Sequence, residues 1–409
     1  MIGRMKQLPP ATKEPCVKTS SKHNYIDAVR GWAILLVMTC HVGGMFSEMP
    51  YPVKKLTNFG WHGVQMFFLA SAVTLLMSWH RRPEHDWTSV RSFFVRRFLR
   101  IAPMYYAGAL IYYLVEPPAS GFDPIQALRT FAFVNAWSPE WIPTTPGWMV
   151  VPGGWSIGVE FTFYLVFPAL AAVITTLPRA MILVVAALIL SATGNHLAEG
   201  LLTNYNDIAV NNFLYFWFPN QAPVFALGFV LYFLVSGTGM VIKAKATAYA
   251  LLALTIAAAL LVAEYPAGSN RFGGFINVPP ILIATLSFMG FIFVMARGPE
   301  TFFTHRWIRR LGTLSFSAYV LHFLFVHSIP GWTHGLIDLH ATGYAAIAAA
   351  VALWLLTVSC TMAAATIAHK LIEQPGIALA QRLTSSRRDE VPGPGTRTIM
   401  NPERNVQRA

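Results

Sequence analysis

"YIDAVRGWAILLVMTCHVGGMF", Tyr25 to Phe46, is long and apolar enough to cross a bilayer, yet it carries Arg30 near one end and His41 deep inside. Ionisable groups in hydrocarbon are costly and mark functional positions by default. Two blander accounts stand beside that one. An arginine at a helix end can snorkel to the interface, and a histidine can be a satisfied polar residue in a bundle.

The rest of the chain places this stretch among others like it. Of 409 residues, 55% are hydrophobic and 12% charged, with mean hydropathy +0.49. That is too apolar for an ordinary soluble protein. Ten apolar segments near spanning length fall at roughly 28–47, 62–79, 99–116, 155–177, 180–196, 212–235, 246–263, 278–296, 311–330 and 343–372. The expected fold is all-α and polytopic, with about ten transmembrane helices. Residues 1–24 are polar, so a cytoplasmic leader rather than a cleavable signal peptide is expected there.

Lysine and arginine set the orientation. With the N-terminus in the cytoplasm and the spans alternating, only Lys54, Lys55, Arg129 and Arg271 fall outside; the other 26 of the 30 Lys and Arg fall inside. The 18 acids divide nine and nine, which a positive-inside rule allows and a net-charge rule does not. Both termini are therefore expected in the cytoplasm. The formal charge of +12 is explained by orientation, without nucleic acid. The stretch "HRRPEHDWTSVRSFFVRRFLR", His80 to Arg100, carries six arginines on that side. The outer segment from about 116 to 154 holds one basic residue, many prolines and Trp137, Trp141 and Trp148, with Trp155 just after. Residues 377–409 are polar and read as a disordered cytoplasmic tail. Cys16, Cys40 and Cys360 form no disulfide or metal pattern, and no metal site is readable.

Arg30 and His41 lie eleven residues apart. On a helix that brings them within about 20° of one another, separated by about 16 Å of rise. One stripe then joins a fixed positive charge at the cytoplasmic rim to a titratable base deeper in. This suits an anionic molecule gripped inside, whose reactive end reaches into the membrane.

Further motifs follow in order. "YIDAVRGWAILLVMTCH" carries Arg-x10-His; "GVQMFFLASAVTL" lies in the second segment; "RRFLRIAPMYY" carries Arg97 and Arg100. "GGWSIGVEFTFYLVFP" carries Glu160, "LGTLSFSAYVLHF" carries Ser315, Tyr319 and His322, and "HKLIEQPG" carries Glu373 and Pro375. Together these resemble the acyltransferase-3 family of integral membrane acyltransferases over residues 25–376. The sequence departs from the family pattern at Gln65, where an acid is common, at Ser71-Ala72 in place of Ser-Gly, and at Phe161 and Thr162 after Glu160. Members often carry a fused extracellular esterase-like domain. Here the membrane domain is expected to finish the transfer or hand over to a partner.

The resemblance implies transfer of an acyl group, most often acetyl, from cytoplasmic acyl-CoA to a sugar hydroxyl. Acyl-CoA would be a donor substrate, with no tightly bound cofactor. The acceptor would be a glycan or lipid-linked sugar, and the setting a bacterial-type inner membrane. CoA is a polyanion, and arginine forks suit phosphates. Arg30, Arg97 and Arg100 are the expected donor-binding residues, although a positive-inside flank would also hold arginines.

A sugar hydroxyl attacks a thioester once its proton is taken, and histidine titrates in the right range. His41 is the expected base; a covalent acyl carrier on His41 or Cys40 is the other option. Glu160 can orient His41, polarise the acceptor or act as base. His322 is read as a site or network residue, and His327 as structural. Trp155 and Tyr319 are candidate acceptor contacts, since sugar rings stack on indole faces. His62 next to Trp61 is ambiguous between interface belt and sugar contact. Two other functions stay open: a proton-coupled transporter or flippase without bond-making, and an acyltransferase acting on a lipid or small molecule.

Overall fold

The computed structural model describes residues 24–81, 86–118, 121–138, 150–237, 239–263 and 280–385. Fifteen α-helices and no strand are present among these residues. The expected spans fall on α1 (Asn24–Gly44), α3 (Gly63–His80), α4 (Trp87–Val115), α6 (Trp155–Val173), α7 (Leu177–Leu201), α9 (Phe218–Gly237), α10 (Lys245–Ala263), α11 (Pro280–Arg297), α13 (Ser315–Trp332) and α14 (Gly343–Ala368). The shorter α2 (Tyr51–Phe59), α5 (Pro124–Phe131), α8 (Asp207–Phe216), α12 (Arg306–Thr313) and α15 (Gln374–Thr384) flank them.

Eight of the described spans are long and apolar enough to cross a membrane. A ninth is reached if α12 and α13, bent by 73°, count as one, and Lys245–Leu261 is a further, shorter apolar helix. The chain is thus an all-α multi-pass membrane protein. The expectation of about ten differs from this count because α10 is short and the ninth span is broken.

Local signals set several boundaries. The Asp86 side chain accepts from Ser89 N at 2.8 Å and starts α4. Asp123 caps α5 through Ile125 N and Gln126 N, and Asn206 caps α8 through Ala209 N. Within the bundle α1 is the central helix, packed on α3, α11, α12, α13 and α14. Its crossing with α12 is backbone on backbone. A Cβ on Gly312 would lie 1.7 Å from Asp27 O, and one on Gly31 would lie 2.2 Å from Ile308 O. Small residues permit such close approach, which drives helix association where lipid offers no hydrophobic gain. The Trp32 indole N–H donates to Phe303 O at 2.9 Å and pins the same corner.

The face of α7 opposite the bundle is exposed, with Met181, Ile182, Val185 and Ile189 outward, as expected for a lipid-facing helix. At the distal end, α15 runs to Thr384 and packs on α4. Ordered helix therefore extends eight residues into the segment read from sequence as tail. The five residues before it, His369–Glu373, form a π-helical turn. Residues 386–409, most of residues 1–24, Trp141, Trp148 and Arg271 lie outside the described residues.

Candidate active site

A cavity of about 90 Å³ lies between α1, α3, α4, α6 and the α12–α13 bend. Its walls include Arg30, Arg97 and Arg100 together with Glu160, Tyr319 and Glu373. Two helices far apart in sequence, α1 and α4, thus bring the three arginines to one space.

Each charged group has a local reason for its position. Arg30 donates from Nη2 to Thr74 Oγ1 at 3.4 Å, across the α1–α3 contact. The Arg97 guanidinium lies over two rings, 5.8 Å from Phe93 and 5.9 Å from Tyr164. Such stacking holds a guanidinium in an apolar wall. Glu160 accepts hydrogen bonds from Ser71 and Tyr164. Glu373 is buried, accepts from Ser317 Oγ at 3.0 Å and stands 3.0 Å from His369 Nδ1. The first turn of α13 also faces the cavity through Ser315 and Phe316, and its N-cap, Leu314, supplies no side-chain acceptor. Helix N-termini favour anions, so this turn adds to the field of the arginines.

Tyr319 closes the deep end. Its hydroxyl donates to Gly153 O at 3.0 Å and accepts from Ser156 Oγ at 2.8 Å. Gly153 sits at φ +77°, a conformation that favours glycine, and this aims its carbonyl at Tyr319. Beyond Tyr319 stands His322, with ring centroids 5.6 Å apart. His322 is fully buried, and its Nδ1 lies 2.7 Å from Tyr319 O. A carbonyl only accepts, so Nδ1 carries a proton and, in the neutral ring, Nε2 holds the lone pair. That Nε2 is buried and has no hydrogen-bond partner.

His41 follows, its ring 5.2 Å from His322, 4.2 Å from Phe323 and 6.2 Å from Trp61. It is not a wall of the arginine cavity. The arrangement is therefore serial: arginines and Glu160, then Tyr319, then His322, then His41, running from one end of the bundle toward the other.

The remaining candidates lie elsewhere. Trp155 is buried in an aromatic cluster, 4.7 Å from Phe216 and 5.7 Å from Tyr215, and is not a cavity wall. Cys40 is buried against Gly60. Gln65, fully buried, donates to Gln221 Oε1 at 3.2 Å within a neutral network that includes Tyr215. Sequence reading placed Ser71 and Ser156 within motifs without giving either a site role, and it did not name Tyr164, which stands one turn after Glu160 on the same helix face.

The family model for acyltransferase-3, described as "Acyltransferase domain", matches residues 23–367. A relative, "Acyltransferase MdmB" of Streptomyces mycarofaciens, is 28% identical over 408 residues, covering 92% of this chain and 96% of that protein. No solved structure matches the chain.

Proposed function

The chain belongs to the acyltransferase-3 family, and on that premise we propose that it moves an acyl group, acetyl foremost, from acyl-CoA to a hydroxyl of a sugar in a surface or exported glycan. The membrane is a bacterial-type inner membrane, with the arginine-bearing end in the cytoplasm. The observation that carries this reading is the convergence of Arg30, Arg97 and Arg100 on one cavity whose deep end leads by Tyr319 and His322 to His41.

The CoA phosphates pair with the arginines and the first turn of α13. Glu160 and Glu373, on the same cavity walls, balance part of that charge. The flexible pantetheine arm carries the thioester past Tyr319. The acceptor oxygen then attacks the thioester carbonyl carbon while His41 takes the hydroxyl proton. The carbon–sulfur bond breaks, and that proton passes to the departing sulfur, giving the ester and free CoA. His322, held by its Nδ1–H donating to Tyr319 O, packs against His41 and positions its ring.

Purified protein in nanodiscs, given radiolabelled acetyl-CoA and host glycan extract, is expected to label the glycan. Arg97→Ala is expected to weaken acetyl-CoA binding by about 10-fold or more, from the loss of a charge-assisted contact. Unchanged affinity would remove Arg97 from the donor site. A carrier without bond-making draws support from the broken α12–α13 span, since broken helices line transport sites. It predicts movement of a solute with acetyl-CoA left intact.

A further inference from the structure

We infer that Trp61, Glu116 and His327 form the acceptor subsite beside His41, and that it takes an uncharged, polyhydroxylated ring. The inference rests on the acyl-transfer reading and adds to it where the acceptor sits and what chemistry selects it.

His41 is flanked by the rings of Trp61 and Phe323. One turn further along α13 from Phe323, His327 follows with ring centroids 5.6 Å apart. Its Nδ1 lies 3.2 Å from both carboxylate oxygens of Glu116, the residue that ends α4. A run of neighbours thus leads from Trp61, in the turn before α3, through His41 on α1 and Phe323 and His327 on α13 to Glu116 at the C-cap of α4.

These groups are open where the neighbouring aromatics are buried. Trp61 is 44% exposed, and the side chains of His327 and Glu116 are 40% and 33% exposed. Trp155, by contrast, is 6% exposed. Trp61 is also held in place. Its carbonyl accepts from Tyr215 OH at 3.3 Å, and its ring meets the Tyr215 ring at 81°. The buried Gln65–Gln221 pair ties Tyr215 in turn, with Gln221 Nε2 donating to Tyr215 O at 2.6 Å. An indole fixed by a buried network, half open and beside the proposed base, is a preorganised contact surface.

The chemistry of these groups selects the occupant. A carboxylate has about four acceptor sites, so the single Nδ1–H of His327 leaves Glu116 able to take hydroxyl protons. An indole face takes the C–H face of a saturated ring. A sugar ring offers both surfaces at once. A fatty chain would leave Glu116 without use, and an anionic acceptor would be repelled by it. The subsite lies across His41 from the arginine cavity, so donor and acceptor reach the base from opposite sides.

Saturation-transfer NMR on the nanodisc protein, without acyl-CoA, tests this with methyl glucoside, methyl galactoside and methyl rhamnoside as probes and cyclohexylmethanol as the hydroxyl-poor control. Wild type is expected to saturate the ring C–H groups of at least one glycoside and not the control. The signal should fall at least fivefold in Trp61→Ala and in Glu116→Gln, and return in Trp61→Phe. Acetyl-CoA affinity should stay within twofold in all three, which reports that each variant is folded. No glycoside signal from wild type, or equal signals from wild type and the two loss variants, would overturn the subsite. Glycoside binding with no acyl transfer would instead sink the proposed function and leave the subsite standing. In turnover, Trp61→Ala should raise the acceptor KM at least fivefold with kcat little changed; a merely structural packing of Trp61 on Tyr215 would lower kcat and donor affinity together.

Discussion

His41 and His322 stand ring to ring, 5.2 Å apart, but they are not equivalent. His322 is buried and fixed by a backbone carbonyl; His41 is partly open and lies beside Trp61. General base catalysis is worth about 10²–10⁴-fold, so His41→Ala should lower kcat by that factor with acetyl-CoA affinity unchanged. Equal activity in that variant, measured by label transfer, would remove His41 from the chemistry. His322→Gln keeps a hydrogen-bonding side chain without the imidazole, and should lower kcat in the same label-transfer measurement while leaving acetyl-CoA affinity unchanged. The Arg30–His41 stripe was legible in the sequence because both lie on one helix, where spacing alone fixes the face. The partners of Glu160 were not. Ser71 lies 89 residues away, and only tertiary packing brings it there.

The α1–α12 crossing is the element on which the site depends. Arg30 projects from α1 one residue before Gly31, and the cavity wall passes through Gly312 and Thr313 into α13. Gly312→Ala would drive a methyl group into the Asp27 carbonyl, and backbone cannot step aside as a side chain can. The expected cost reaches or exceeds the ~3 kcal/mol upper end of overpacking. It is checked as a lower midpoint of thermal unfolding in detergent, together with weaker acetyl-CoA binding. An unchanged midpoint would contradict the packing. Gly44, which has no neighbour within 4 Å, is the control: Gly44→Ala should be nearly silent. Periodicity placed the apolar helices well but gave no hint of the 73° break at Leu314. The stretch 311–330 has no proline before Pro330, and the packing of α12 on α1 that accompanies the bend leaves no period to read.

Across the whole molecule, charge and chemistry are divided between two ends. The arginines, Glu373 and the α13 N-terminus lie at one; Trp61, Glu116 and His327 lie at the other, with His41 between. Lys54, an exception to the basic bias, has its own cause: its ammonium donates to Gly43 O at 2.8 Å and Phe46 O at 2.6 Å, closing the C-terminal end of α1. The serial path through Tyr319 and His322 needed the packed bundle, because those residues reach His41 only through contacts between helices distant in sequence. In the proposed reaction the bond is made between a donor entering at the arginine end and an acceptor entering at the other. Sealed vesicles with the arginine end outward, acetyl-CoA outside and methyl glycoside trapped inside, test this. Acetylated glycoside is expected in the lumen from wild type and none from His41→Ala. Product formed only when donor and acceptor share the outer compartment would contradict it.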